Sequence, residues 1–217
     1  MATNDWTITT LDIEIETRSG LRIGGPSDRD TTDIPVHRNP DGQPIIPGSS
    51  LKGVLRSTGE RILRAKSVRT CDVFDDPCGG KPSEREVKEA ELCWCCQLFG
   101  SAHRAGRFFA ADLLPSGGVE TVVRDGVGIN RQELKAQDKV KFDYEVVPPG
   151  VVFRGKVRIE DRRPGDLGLL LGLFELFELG VVGLGGGTTR GLGSVGCRVV
   201  RVEELVASTW KPGNGFV

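Results

Sequence analysis

Ile46-Pro47-Gly48-Ser49-Ser50-Leu51-Lys52-Gly53-Val54-Leu55-Arg56 is the stretch from which the rest of the chain is read. Pro47-Gly48 ends an extended run, and Ser49 or Ser50 is the predicted N-cap of a helix. Leu51, Val54, Leu55, Ile62 and Leu63 recur at helical period, which carries that helix to about Ala65. A Gly-Ser-Ser entry leaves backbone N–H groups and the positive end of the helix dipole facing outward. Lys52 and Arg56 stand four residues apart on one face of the first stretch. The combination suits a phosphate seat, and it equally describes a well-capped surface helix.

Outward from this helix, Leu11, Ile13 and Ile15 alternate with Asp12, Glu14 and Glu16, the pattern of a half-buried strand. After the helix, residues 66–106 read as an insertion with a short charged helix at about 84–91. Strands are expected at 107–113 and at 120–123. Residues 127–138 carry little apolar content and read as a projecting loop. Val140-Phe142-Tyr144-Val146 and Val151-Phe153-Val157-Ile159 alternate on either side of Pro148-Pro149-Gly150, which predicts a long hairpin. Residues 166–179 read as a buried helix ended by Gly180, and 194–205 as a closing strand. The order is βαββαβ, so the predicted fold is α+β and ferredoxin-like, in one domain over 1–217 with an irregular tail at 207–217.

A length of 217 residues with 38% hydrophobic content suffices for a single core. Twenty-nine basic residues balance thirty acidic ones, which argues against a free-standing nucleic-acid binder but not against a local basic groove. No apolar run reaches membrane-spanning length, and Met-Ala-Thr-Asn-Asp is not a signal pattern. The expected location is therefore cytoplasmic, with no membrane partner. Disulfides are poor candidates there, yet five of the six cysteines fall between Cys71 and Cys96.

Cys71, Cys78, Cys93 and Cys96 are spaced C-x6-C-x14-C-x2-C. Two pairs of thiolates across a connecting segment suit a structural zinc ion, which would replace a core that the insertion cannot build. Free buried thiols are the other reading. Cys95 competes for a place in the set, and His103 is a substitute ligand. Cys197 stands alone on the last strand and reads as core.

Gly183-Leu184-Gly185-Gly186-Gly187-Thr188-Thr189-Arg190-Gly191-Leu192-Gly193 permits positive φ and close backbone approach to a ligand. Its exposed amides can form an anion nest, with Arg190 adding a fork of donors. It is neither a Walker loop nor a dinucleotide fingerprint, because the Gly-Lys-Ser/Thr ending is missing and a strand follows it. A flexible turn is the alternative.

Five segments occur in one order: Leu21-Arg22-Ile23-Gly24-Gly25, the 46–56 stretch, Leu98-Phe99-Gly100-Ser101, Phe142-Asp143-Tyr144-Glu145-Val146-Val147-Pro148, and the glycine run. In this the chain resembles the RAMP superfamily, and more narrowly the backbone subunit of type III (Csm/Cmr-like) CRISPR–Cas effector complexes. The resemblance implies an RRM-like core polymerised along a guide RNA, with other effector subunits and target RNA as further partners. It implies RNA contacts at Gly24, Gly25, Gly48, Ser49, Ser50, Lys52, Arg56 and through Gly185, Gly186, Gly187, Thr188, Thr189, Arg190 and Gly191. It also implies a projecting hairpin or thumb that splays bases apart, placed here at about 119–139 with Arg124 and Arg131. A cysteine cluster just ahead of Leu-Phe-Gly occurs in some such subunits.

The polar loop after Gly25 carries Asp28, Asp30, Asp33, His37 and Asp41. An acid beside an RNA track can hold Mg or another divalent cation while the RNA 2′-hydroxyl attacks. In the resembled family an Asp just ahead of a Pro-Val pair cleaves target RNA. Thr32-Asp33-Ile34-Pro35-Val36 matches, with Ile where the family often has Asn, so Asp33 is the candidate and Asp28 and Asp30 are lesser ones. A non-catalytic scaffold is the alternative, as is a guide-processing endoribonuclease using His37 or His103 as general base.

Overall fold

A computed structural model describes residues 6–26, 32–72, 74–80, 87–130 and 135–206, with side chains described outside 128–140. Alternation at the start of the chain produces β1 (Thr7–Thr17), whose Leu11, Ile13 and Ile15 are buried. The capped stretch becomes α1 (Gly48–Ala65), and within the insertion a short α2 (Trp94–Phe99) forms. Then come β2 (Phe108–Ala110), β3 (Leu114–Pro115), β4 (Val122–Asn130), β5 (Lys135–Val146), β6 (Val152–Glu160), α3 (Asp166–Glu178) and β7 (Val195–Val206).

The main sheet runs β2–β6–β1–β7, with β3 continuing beside β6. With the crossover helices removed, this is the strand order of a ferredoxin-like α+β fold. Leu51, Leu55 and Leu63 of α1 and Leu170, Leu173, Phe174 and Phe177 of α3 pack on the inward face. The other face is a mosaic of ion pairs. Glu14 meets Arg154 at 2.8 Å and Arg198 at 2.7 Å, Asp12 meets Lys156 at 3.2 Å, and Arg158 covers the Phe109 ring.

Three elements depart from the sequence reading. The hairpin expected across Pro148-Pro149-Gly150 does not form. β6 spends one edge on β1 and the other on β2 and β3, so no edge is left for β5. The two prolines offer no N–H to a ladder. Instead the corner wraps the end of β1: Thr17 Oγ1 donates to Pro148 O (2.8 Å) and accepts from Val151 N (2.9 Å). Second, the region expected as a projecting loop is, in its described residues, a ribbon in which β5 pairs antiparallel with β4 away from the main sheet. Val122, Val123 and Val127 of β4 are half exposed, so the strand carries no apolar face for a reader to detect. Third, the helix begins at Gly48 with Pro47 at the cap, and neither serine caps it. Asp112 Oδ1 accepts from Gly48 N at 2.8 Å in their place. Of the expected charged helix, Glu89–Glu91 form a 3₁₀ turn and residues 84–86 lie outside the described residues, as does the tail.

The insertion is tied to the core through Asp166, which is fully buried. Its carboxylate accepts from Trp94 Nε1 (2.7 Å), Arg107 Nη2 (2.8 Å) and Arg163 N (2.9 Å). Removing it takes the acceptor from the Trp94 indole and the Arg163 amide, and leaves Arg107, which also meets Glu89 at 2.8 Å, with one of its two carboxylates. Asp166→Ala is therefore expected to cost about 3–5 kcal/mol, read as a shifted midpoint in chemical denaturation, whereas an unchanged midpoint would rule out this tie.

Candidate RNA-binding surface and metal site

The glycine run forms a loop closed on itself by Leu184 N to Gly193 O (2.9 Å), with one 3₁₀ turn at Thr188–Arg190. It lies directly on the segment after β1: Gly186 N donates to Arg22 O (2.8 Å) and Gly193 N to Gly20 O (2.9 Å). Gly185 is at φ +79°, and a Cβ there would overlap the Arg22 carbonyl. The amides of Gly187, Thr188 and Thr189 have no protein acceptor among the described residues, and Arg190 is exposed without a carboxylate partner among them. Free amides grouped in this way are the kind of donor set that an anion nest uses.

A cleft of about 480 Å³ separates this loop from α1, lined by Ser57, Thr58, Arg61, Thr188, Thr189 and Gly191. Ser57, Thr58 and Arg61 escape the sequence reading, although with Val54 they stand at i, i+3, i+4 and i+7 on one helix stripe. At the start of α1, the Ser49 and Ser50 amides also lack a protein acceptor among the described residues. Gly48 N is already taken by Asp112. Lys52 and Arg56 turn inward. Lys52 Nζ donates to Phe108 O (3.1 Å), and burial together with the Arg56 charge lowers its pKa. Arg56 donates to Glu60 (2.8 Å), Gly100 O (2.6 Å) and Cys96 Sγ (3.3 Å).

The strip at Leu21–Gly25 joins the glycine loop to the acidic segment. Gly25 N donates to Pro35 O (2.9 Å), His37 N to Ile23 O (2.8 Å), and Gly24 bridges Val36. Asp33 is exposed and stands against β5: its amide donates to Asp143 Oδ1 (2.7 Å), and Asp143 N donates to Asp33 Oδ2 (2.9 Å). One oxygen of each carboxylate has no protein partner among the described residues. Below them, Glu145 accepts from Val36 N (2.9 Å), Thr121 and Arg38. Burial would raise the Glu145 pKa, but these bonds and the Arg38 charge outweigh it and hold the carboxyl below its ordinary range. The pair thus clamps the Asp33 segment to the ribbon. Asp28, Asp30 and Arg131 lie outside the described residues.

Unpaired cations mark where an anionic chain can lie. Among the described residues, Arg22, Arg61, Arg124 and Arg190, which lie by the glycine loop and the ribbon, have no carboxylate partner, and neither do Arg64, Lys66 and Arg69 at the far end of α1. The cations of the open sheet face are spent on carboxylates of the sheet itself: Arg154, Lys156 and Arg198 on Glu14 and Asp12, Arg158 on Glu160 and Arg201 on Glu203. A profile of the RAMP superfamily matches residues 14–196. The chain belongs to the RAMP superfamily. It is thereby a CRISPR-associated RNA-binding protein of a family that includes nucleases and whose members bind CRISPR RNA and other effector subunits. No curated protein matches the chain. No helix among the described residues is long and apolar enough to cross a membrane.

The four cysteines expected to hold a metal come together. The Sγ atoms of Cys71, Cys78, Cys93 and Cys96 all lie within 4.8 Å of one another, and all four residues are buried. Cys71 and Cys96 are 3.3 Å apart and Cys71 and Cys93 3.8 Å. A tetrahedral ion with bonds of about 2.3 Å sets its sulfurs about 3.8 Å apart, so the set fits zinc. Cys78 Sγ accepts from Cys93 N (3.2 Å). The hydrogen bond between Cys96 and Cys93 holds the Cys93 thiol below its ordinary value and that of Cys96 above, since one shared site cannot ionise all its sulfurs without a cation. Cys95 is not in the set. It points into the core beside Gly59, where burial pushes its thiol up to about 12. His103 Nε2 lies 2.8 Å from Gly80 O. Native mass spectrometry is expected to show one zinc per chain, lost in Cys93→Ser with a lowered melting temperature. Metal-free protein that melts unchanged would contradict a structural ion.

Proposed function

We propose that this chain is the guide-RNA-binding backbone subunit of a type III CRISPR effector complex, acting as a metal-dependent endoribonuclease on guide-paired target RNA. One observation supports this reading above the others: the glycine loop, the Leu21–Gly25 strip, the Asp33 segment and the ribbon are bonded edge to edge. RNA lying along the unpaired amides and arginines runs past Asp33. Contacts are mainly to phosphates, which suits a chain of near-neutral net charge. Further copies of the chain extend the track along the guide.

In this reading Asp33 and Asp143 face the scissile linkage, each with one carboxylate oxygen that has no protein partner among the described residues. Hard oxygen donors suit Mg or another divalent cation, which when bound supplies positive charge to the phosphate that a neighbouring 2′-hydroxyl attacks. The ribbon holds Asp33 in place through the Asp143 amide. The same bond favours a second reading, in which Asp33 is a structural staple and the subunit a scaffold. The histidine route has less support, because His103 is engaged within the insertion and the Nδ1 of His37 is buried.

Asp33→Ala in the assembled complex is expected to lower target cleavage by about a hundredfold or more, with guide affinity unchanged. Cleavage that needs added magnesium in the wild type and vanishes in the variant supports catalysis. Undiminished cutting by Asp33→Ala removes Asp33 from the chemistry.

A further inference from the structure

The ribbon has two chemically distinct faces at its base. Strand residues alternate, and directly paired residues share a face. Asp125 and Asp143 are paired and face the Asp33 side. On the opposite face Arg124 pairs with Tyr144, and Gly126 with Phe142. A Cβ on Gly126 would stand 2.5 Å from the Phe142 ring, so the ring lies flat over the glycine. The Phe142 and Tyr144 rings are 6.1 Å apart at an interplanar angle of 33°. Both are only half-buried.

Arg22 completes this face. Its guanidinium lies 5.2 Å from the Tyr144 ring centroid, and its Nη2 stands 2.9 Å from where a Cβ of Gly186 would be. It thus bridges the ribbon and the glycine loop. Neither Arg22 nor Arg124 has a carboxylate partner among the described residues. Two adjacent half-buried rings flanked by guanidinium groups that have no carboxylate partner among the described residues, beside a row of loop amides, form the combination that single-stranded nucleic acid uses.

We infer that Phe142 and Tyr144 form a nucleobase-stacking platform for single-stranded RNA, with Arg22 and Arg124 taking the flanking phosphates. This rests on the RNA-binding reading above and adds a base contact to a surface otherwise built for backbone. It also separates the two tasks of the ribbon: one face fixes a nucleotide, and the opposite face holds the carboxylates. A stacked base on the aromatic side sets the position of the linkage presented to Asp33 on the other.

The test is photocrosslinking of the full chain to a single-stranded oligouridine carrying 5-iodouridine, with equilibrium binding measured across a salt series. Crosslinked peptides are expected to contain Phe142 or Tyr144. Phe142→Leu and Tyr144→Leu should each weaken binding about tenfold with an unchanged salt slope. Arg22→Gln should lower that slope by about one. If RNA binds but the crosslinks map away from residues 142–144, or if both Leu variants bind as the wild type does, the platform is wrong and the RNA-binding reading stands. If the wild-type chain binds no oligouridine at low salt, both fall. Should the Leu variants fail to fold, the crosslink map of the wild type decides.

Discussion

The main chain of the glycine loop rests on the main chain of Arg22, and the arrangement of the site follows from that contact. Gly186 donates to the Arg22 carbonyl, and Gly185 leaves no side chain to hold the two strands apart. The contact joins the stretch just after the first strand of the sheet to the stretch just before the last. Those strands are neighbours in the ferredoxin-like order, so their connections emerge at one end of the sheet. The Arg22 side chain, fixed by its own backbone, then lies against Tyr144 and anchors the ribbon beside the loop. Any residue larger than glycine at position 185 would separate loop from strip and dismantle the surface.

The chain leaves a different signature on each side of its sheet. On the open face, acids of the central strand sit between bases of both neighbours, so its charge is internally cancelled. On the loop side, amides and guanidinium groups remain without partners among the described residues. Affinity for a polyanion comes from neutralising phosphates, and only uncommitted cations can do that without first losing an ion pair. The cysteine insertion supports the arrangement from behind. Arg56 binds a cysteine sulfur and the carbonyl of Gly100, and Asp166 gathers the indole of α2, an arginine ahead of β2 and the start of α3.

Much of this was legible in the amino-acid sequence, and the illegible parts share a cause. The central strands and both long helices follow from alternation and helical period, because each buries one face against the core. The four-cysteine set follows from spacing, and the exclusion of Cys95 from geometry, since successive helix residues point about 100° apart. What sequence pattern cannot give is which neighbour a strand takes. The alternation of Phe142 and Tyr144 marks a strand, but its partner depends on β6 having both edges filled. The partner strand carries charges, glycine and exposed valines, because it packs on no core. Asp112 replaces the expected serine cap from far along the chain. Arg22, an unremarkable basic residue between two apolar ones, gains its place only from contacts with Gly186 and Tyr144.

Hydrogen–deuterium exchange of the full chain with and without bound guide RNA tests most directly where the RNA lies. Protection on binding is expected to concentrate in residues 20–25, 48–52, 122–127 and 183–193, with the open sheet face unchanged. Protection centred on residues 10–16, 152–158 and 196–203, with the glycine loop exchanging as freely as before, would contradict it.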